Sequence, residues 1–314
     1  MQLREAVAEF LAAKSGVRPA VDDVIVSTGV ASILFLLFQT VVGKNDAVLL
    51  IDPYFLIYPA LVKYHEARPY TISENFGVDD IAELRAQLRK DNVNLKLIMF
   101  ASPSNPTGKI LTRHQLELSS ELADEQDAII ASDEIYGAFD YEKKHISMSS
   151  INAGRTLTLN GFSKSHAMTG LRVGYLAAPP RYSGIVQKMV TLQQYTMVCS
   201  PHAMQWGAIT ALKTGIDSEL ALMKKRRDMV YGVLSKVTTL PFPDGAFYVY
   251  PDIPIDSAEF VTQAIERRLL LVPGYIFSAN RNAIRISYAT REDILEEGAQ
   301  IFCDMVAELK DTLH

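Results

Sequence analysis

A chain of 314 residues, 48% of them hydrophobic and 21% charged, is long enough to bury a large core and to form two domains. A formal net charge of −5, with no lysine and arginine stripe interleaved with aromatics, offers no field for a phosphodiester backbone and excludes nucleic acid as an expected partner. Only two cysteines occur, Cys199 and Cys303, with no Cys-x-x-Cys pair, and Glu5 and Glu9 interrupt the stretch where an export signal needs an apolar run; a cytoplasmic location is expected.

Leu3, Val7, Phe10 and Leu11 recur at helical spacing, and Gly16 to Pro19 ends that first helix. The longest apolar stretch, Ile33 to Val42, is too short for a bilayer span and lacks suitable charged flanks, so it reads as a buried helix and no membrane is expected as a partner. Aliphatic runs at Val24–Ser27, Ala47–Ile51, Leu95–Phe100, Ala128–Ala131, Thr156–Leu159 and Arg172–Ala177 alternate with helical patterns. Among the latter are Val78–Lys90, with Ile81, Leu84 and Leu88 on one face, and Arg113–Glu125. Strands apolar on both faces and separated by helices imply an α/β fold, a mainly parallel sheet sandwiched by helices. From Tyr182 the pattern is mostly helical and ends in a charged connecting helix at Glu219–Lys236. Strands Ala246–Pro251, Leu269–Val272 and Ala283–Ala289, with helices Ser257–Arg267 and Glu292–Leu309, then describe a smaller C-terminal α+β domain. The expected division is 1–215, a connecting helix at 216–237, and 238–314.

Several fragments carry chemistry. Thr28-Gly29-Val30-Ala31-Ser32 opens a helix directly after a strand, where the N–H groups of Gly29, Val30 and Ala31 can hold an anion. Asp52-Pro53-Tyr54-Phe55 supplies two aromatics, and Ser104-Asn105-Pro106-Thr107-Gly108 is a turn in which Asn105-Pro106 is a candidate cis bond. Ser132-Asp133-Glu134-Ile135-Tyr136 places a carboxylate at the end of an apolar strand. Phe162-Ser163-Lys164 stands eight residues ahead of Arg172 in Gly170-Leu171-Arg172-Val173-Gly174-Tyr175, and Ile284-Arg285-Ile286-Ser287-Tyr288-Ala289 comes last. Taken singly, each has an ordinary explanation. Lys164 reads as a surface lysine, Tyr136 and Phe55 as core aromatics, Asn105 as a turn former and Arg285 as a strand-face arginine in a salt bridge.

In this fixed order the fragments resemble the cofactor site of the fold-type I pyridoxal 5'-phosphate (PLP) enzymes, specifically the class I/II aminotransferases, from Leu3 to the C-terminal helix. The resemblance implies a transaminase that moves an amino group from an amino acid to a 2-oxo acid through a Schiff base on Lys164, which later carries the proton. It implies that Asp133 keeps the cofactor ring nitrogen protonated, and that Tyr136 and Asn105 hydrogen-bond the phenolic oxygen. Arg172, Ser163 and the backbone of Gly29, Val30 and Ala31 are cofactor contacts, the phosphate falling to Arg172 and the helix start. Phe55, with Tyr54 as competitor, stacks on the ring, while Arg285 and Asn105 bind substrate, Arg285 through the α-carboxylate. A homodimer follows from the same resemblance. The rivals are elimination or decarboxylation on the same scaffold, and a PLP-binding protein with little activity.

The pattern breaks in places. Gly161 stands where a serine often offers its hydroxyl to the phosphate. The chain starts at a helix that relatives reach only after several dozen residues, including an arm over the active site, so looser cofactor retention and a more open site are expected. No arginine stands near Gln193-Gln194-Tyr195, where dicarboxylate-specific relatives can place one, which argues against aspartate or glutamate as the preferred donor. The histidines, His65, His114, His145, His166, His202 and His314, show no paired ligand spacing, Cys199 with His202 is a single pair, and no metal is expected. Neither a Gly-x-Gly-x-x-Gly nor a Walker motif occurs.

Overall fold

The structure, a computed structural model, describes residues 1–313, so His314 lies outside the described residues. Helix α1 (Gln2–Ser15) buries Leu3, Val7, Ala8 and Leu11 and stops at Gly16, whose φ of 74° is the left-handed cap that glycine favours. In chain order there follow β1 (Val24–Ser27), α2 (Val30–Val41), β2 (Ala47–Asp52), α3 (Ile57–Tyr64), β3 (Arg68–Ser73), α4 (Val78–Asp91), β4 (Leu95–Ala101), α5 (Arg113–Gln126) and β5 (Ile129–Asp133). Then come β6 (Thr156–Gly161), β7 (Gly174–Ala177), α6 (Ser183–Thr196), α7 (His202–Ala211) and α8 (Asp217–Leu234).

The first seven strands form one sheet in the order β1-β7-β6-β5-β4-β2-β3. β3, β2, β4, β5 and β6 run parallel, whereas β7 is antiparallel to both of its neighbours, β6 and β1. Successive side chains of a strand face opposite sides, and β4 shows the result: Leu97 and Met99 enter one core with Leu34, Leu37 and Phe38 of α2, while Ile98 and Phe100 enter the other with Leu84 of α4 and Leu122 of α5. Both faces are covered, which is why the strands read as continuous apolar runs. β3 escaped that reading because it is the edge strand, with only Tyr70 and Ile72 turned inward among exposed neighbours.

A second sheet of three antiparallel strands, β8 (Tyr248–Val249), β9 (Val272–Pro273) and β10 (Ile284–Ser287), is ordered β8-β10-β9. It packs with α8, α9 (Ser257–Glu266) and α10 (Glu292–Leu313) around Leu234, Phe260, Phe302 and Val306. These strands are shorter than the sequence pattern implied. The candidate cis bond at Asn105-Pro106 is a correction: the cis bonds are Asp52-Pro53 and Ser102-Pro103.

The topology gathers loops at one edge. The carboxyl ends of β1, β2, β4, β5 and β6 all open there, and reversed β7 begins there, so residues 29, 55, 105, 133, 164 and 172 are delivered to one rim.

Candidate active site

A cleft of about 330 Å³ lies at that rim, bounded on its far side by Tyr248 and Arg285 of the small sheet. Val30, Ala31, Phe55, Asn105, Asp133, Tyr136, Ser163, Lys164, Arg172 and Arg285 all line it; of the residues expected from the sequence only Gly29 is set back, behind Arg172.

Asp133 closes β5 and is buried. Its Oδ2 accepts from the Tyr58 hydroxyl at 2.8 Å and its Oδ1 from the Ile135 N–H at 3.2 Å. Burial pushes the carboxyl up to about 6, although both hydrogen bonds and the nearby Lys164 pull the other way. Tyr58 was not singled out by sequence. Its N–H bonds to the Phe55 carbonyl, so a three-residue spacing brings the rings together edge to face, 5.7 Å between centroids.

Lys164 follows β6, is partly buried, and pairs with no carboxylate among the described residues. Its Nζ lies 5.9 Å from the Tyr136 ring centroid and 6.0 Å from that of Phe247. Burial, then the positive charge of Arg285, lowers its pKa from the ordinary lysine value, with Asp133 opposing and Arg172 adding to the effect. A larger neutral fraction makes the amine a better nucleophile and base.

At one end of the cleft Arg172 adopts a left-handed φ of 56° and donates to the carbonyls of Thr169 at 2.7 Å and Thr28 at 3.1 Å, with no carboxylate partner among the described residues. Gly29 has a φ of 92°, and a Cβ there would stand 2.6 Å from Arg172 Nη2, so only glycine lets the guanidinium close on the start of α2. That helix has no side-chain N-cap bond, which leaves its first N–H groups facing the same place as the cation. The absence of serine at Gly161 also has a packing cause. A Cβ would meet the Val173 carbonyl at 2.9 Å and Gly174 Cα at 3.0 Å, because β6 and β7 approach so closely.

At the opposite end the guanidinium of Arg285, on β10, lies over the rings of Tyr248, 4.5 Å from its centroid, and Phe277, 4.7 Å from its centroid. Its Nη1 donates to Asn105 Oδ1 at 2.9 Å, and its buried Nε has no partner. Tyr136 is buried, with its hydroxyl 2.8 Å from that of Tyr248. Phe55 is partly exposed at the cleft wall, whereas Tyr54 is tied through its N–H to the Phe277 carbonyl at 2.9 Å.

A second buried acid, Glu74, stands behind the Asn105 turn and accepts from the Thr107 hydroxyl at 2.6 Å. Burial raises its pKa from 4.5 to about 7. The folded chain therefore keeps a proton that the unfolded chain releases, and this stabilisation, full below about pH 4.5, is lost as pH rises through about 7. Glu74→Gln is expected to remove that slope, on the order of 3 kcal/mol, from the unfolding free energy measured by urea at successive pH values; an unchanged slope would refute the assignment.

Among the described residues no group of three or more His, Cys, Asp or Glu is placed to hold a metal ion, and no helix is long and apolar enough to cross a membrane.

Comparison with known proteins gives a consistent set of relatives. A family model described as aminotransferase class I and II matches residues 1–302. A probable aspartate aminotransferase of Methanocaldococcus jannaschii is 34% identical over 311 residues, covering 96% of this chain and 82% of that protein. Aromatic-amino-acid aminotransferase 2 of Thermococcus litoralis is 34% identical over 316 residues, 95% of this chain and 79% of that one. Among solved structures, an aspartate aminotransferase of Thermotoga maritima superposes with a TM-score of 0.89 at 27% identity, over 98% of this chain and 82% of that chain.

Proposed function

This chain belongs to the class I and II aminotransferase family and is an aminotransferase, and from that premise we propose that it works with pyridoxal 5'-phosphate held by Lys164. One observation carries the reading: a buried carboxylate and three cations without carboxylate partners, Lys164, Arg172 and Arg285, line the same cleft of the described chain. A buried polar group is normally satisfied, so the unpartnered Arg285 Nε, together with an Arg172 guanidinium that donates only to neutral carbonyls and has no carboxylate to balance its charge, points to anionic groups of a bound molecule. The donor set fits the cofactor end to end. When bound, the cofactor supplies an aldehyde for an amine and a ring that withdraws electrons from the substrate α-carbon.

The chain's own residues then divide the work. Arg172 and the N–H groups at Gly29, Val30 and Ala31 bind the phosphate, with Ser163 beside them. The Asp133 carboxylate, kept ionised by Tyr58 and the ring, holds a proton on the pyridine nitrogen. Tyr136 and Asn105 donate to the phenolic oxygen, and Phe55 covers one ring face. Arg285 grips the substrate carboxylate bidentately and so turns the α-C–H bond toward Lys164, whose neutral amine takes that proton as base and returns it as acid. Leu56, Tyr58, Ala101, Ile135, Thr169 and Tyr248 complete the lining, and among the described residues no further arginine lines the cleft, which favours an apolar or aromatic donor over aspartate or glutamate.

The same reading divides the chain at 1–215, 216–237 and 238–314, and makes it a cytoplasmic homodimer. Leu56 in the cleft wall and Leu171 beside Arg172 are 43% and 40% exposed, with Tyr195 at 82%, which supports an apolar partner surface. Borohydride reduction of the PLP-loaded protein, followed by peptide mapping, is expected to leave the adduct on Lys164. Amino donors assayed with 2-oxoglutarate are expected to rank phenylalanine above aspartate. An adduct elsewhere, or none, would refute the cofactor reading, and the reverse ranking the donor reading.

A further inference from the structure

Tyr248 escaped the sequence analysis, yet it is where the small sheet meets the Tyr136 hydroxyl, beside Arg285 of the same sheet. It lies in β8, buried, with its hydroxyl 2.8 Å from that of Tyr136 and its ring 4.5 Å from the Arg285 guanidinium. The backbone leading into it is fixed from several sides. The carbonyl of Ala246, a residue with φ 56°, accepts from the hydroxyls of both Tyr141 and Tyr288, and its N–H donates to the Phe139 carbonyl at 3.0 Å. Tyr248 therefore has little freedom to leave Tyr136.

Each phenol has a single proton, so only one of the two can donate to the other. A Tyr136 that donates to Tyr248 has nothing left for the cleft. With Tyr248 as donor, the Tyr136 proton is free to meet an oxygen in the cleft, and the accepted bond polarises Tyr136 into a stronger donor. Burial raises both phenols above the usual tyrosine range, so both keep their protons at neutral pH.

We propose that Tyr248 is a positioning residue that donates its hydroxyl proton to Tyr136, thereby aiming the Tyr136 proton at the cofactor's phenolic oxygen, while its ring supports the Arg285 guanidinium that takes a carboxylate. The inference rests on the cofactor reading above and deepens it.

Tyr248→Phe removes the hydroxyl and keeps the ring; Tyr248→Leu removes both. The decisive measurement is the pH midpoint of the visible absorption band of the PLP-loaded protein, titrated for the parent, Tyr136→Phe, Tyr248→Phe and the double variant. Donation to the phenolic oxygen favours the form that has lost its proton, so losing that donation moves the midpoint upward. Tyr248→Phe is expected to raise it by roughly half a pH unit. Tyr136→Phe moves it further, and the double variant no further than Tyr136→Phe alone, because Tyr248 acts through Tyr136. KM for the amino donor stays within about twofold in Tyr248→Phe and rises about tenfold in Tyr248→Leu, where the guanidinium loses one ring. A midpoint that responds to Tyr136→Phe but not to Tyr248→Phe, or shifts that add in the double variant, overturns the proposal and leaves the cofactor reading standing. A parent protein that shows no visible band with PLP overturns the cofactor reading itself.

Discussion

Lys164→Ala is expected to lower the rate of amino transfer by at least about 10⁴-fold and to abolish the visible band with PLP. The other cations lining the cleft, Arg172 and Arg285, are guanidiniums, which neither condense with an aldehyde nor lose a proton at working pH. No neighbouring side chain can therefore substitute for the amine. Misfolding is a poor explanation for such a loss, because Lys164 is a partly buried cation whose lowered pKa records an unfavourable environment. Its removal should leave the thermal midpoint unchanged or slightly higher. Initial rates with the best donor, together with a melting curve, check both halves, and a variant that keeps even a hundredth of parental activity would remove Lys164 from the catalytic role.

Asp133→Asn is expected to move activity and stability in opposite directions. Loss of the anion facing the ring nitrogen should reduce kcat by about 10³-fold, the size seen when a buried electrostatic partner of a reacting group is removed. Stability depends on the same burial. The carboxyl is raised from 3.8 to about 6, so the contribution of its neutral form is full below about pH 3.8 and lost as pH passes about 6. Above that, the cofactor-free protein carries a buried anion at a cost on the order of 3 kcal/mol. Asparagine carries no charge; its one oxygen still accepts from the Ile135 N–H, and its amide nitrogen donates to the Tyr58 hydroxyl oxygen in place of the bond it accepted before. The cofactor-free variant should therefore gain about 1 to 2 kcal/mol over the parent near pH 8 and almost nothing near pH 4. Urea unfolding at the two pH values decides the matter; a less stable variant near pH 8, or one with parental kcat, contradicts the argument.

The large sheet was legible because its inner strands, such as Ile129–Asp133, are buried on both faces and leave unbroken apolar runs. The edge strand Arg68–Ser73 was not, since one exposed face dilutes the signal. Nor does sequence reveal that β7 runs against its neighbours, because direction in a sheet is a property of the connections rather than of side chains. In the cleft, Lys164, Asp133, Asn105, Arg172 and Arg285 were readable through motifs at strand ends that keep a fixed order along the chain. Tyr58, Tyr248 and Glu74 lacked such motifs. They act through contacts with residues 75, 112 and 33 positions away, a spacing that only the folded backbone creates. Gly161 looked like a lost phosphate ligand, but close approach of two strands forbids any side chain at that point. The cis prolines were misplaced for a related reason: every X-Pro pair carries the same local preference, and the surrounding turn chooses among them.

Because among the described residues β1 pairs with β7 and with no other strand, β1 waits for the last strand of the large sheet before it is paired. The anion cradle is divided between those two distant pieces, Gly29 on one and Arg172 on the other. During synthesis on a ribosome, a nascent chain that had emerged only as far as residue 165 would already own Lys164 and Asp133, yet it would lack Arg172 and with it half of the proposed phosphate cradle. On the cofactor reading proposed above, loading thus follows a long-range closure of the slow kind that non-local strand pairing imposes.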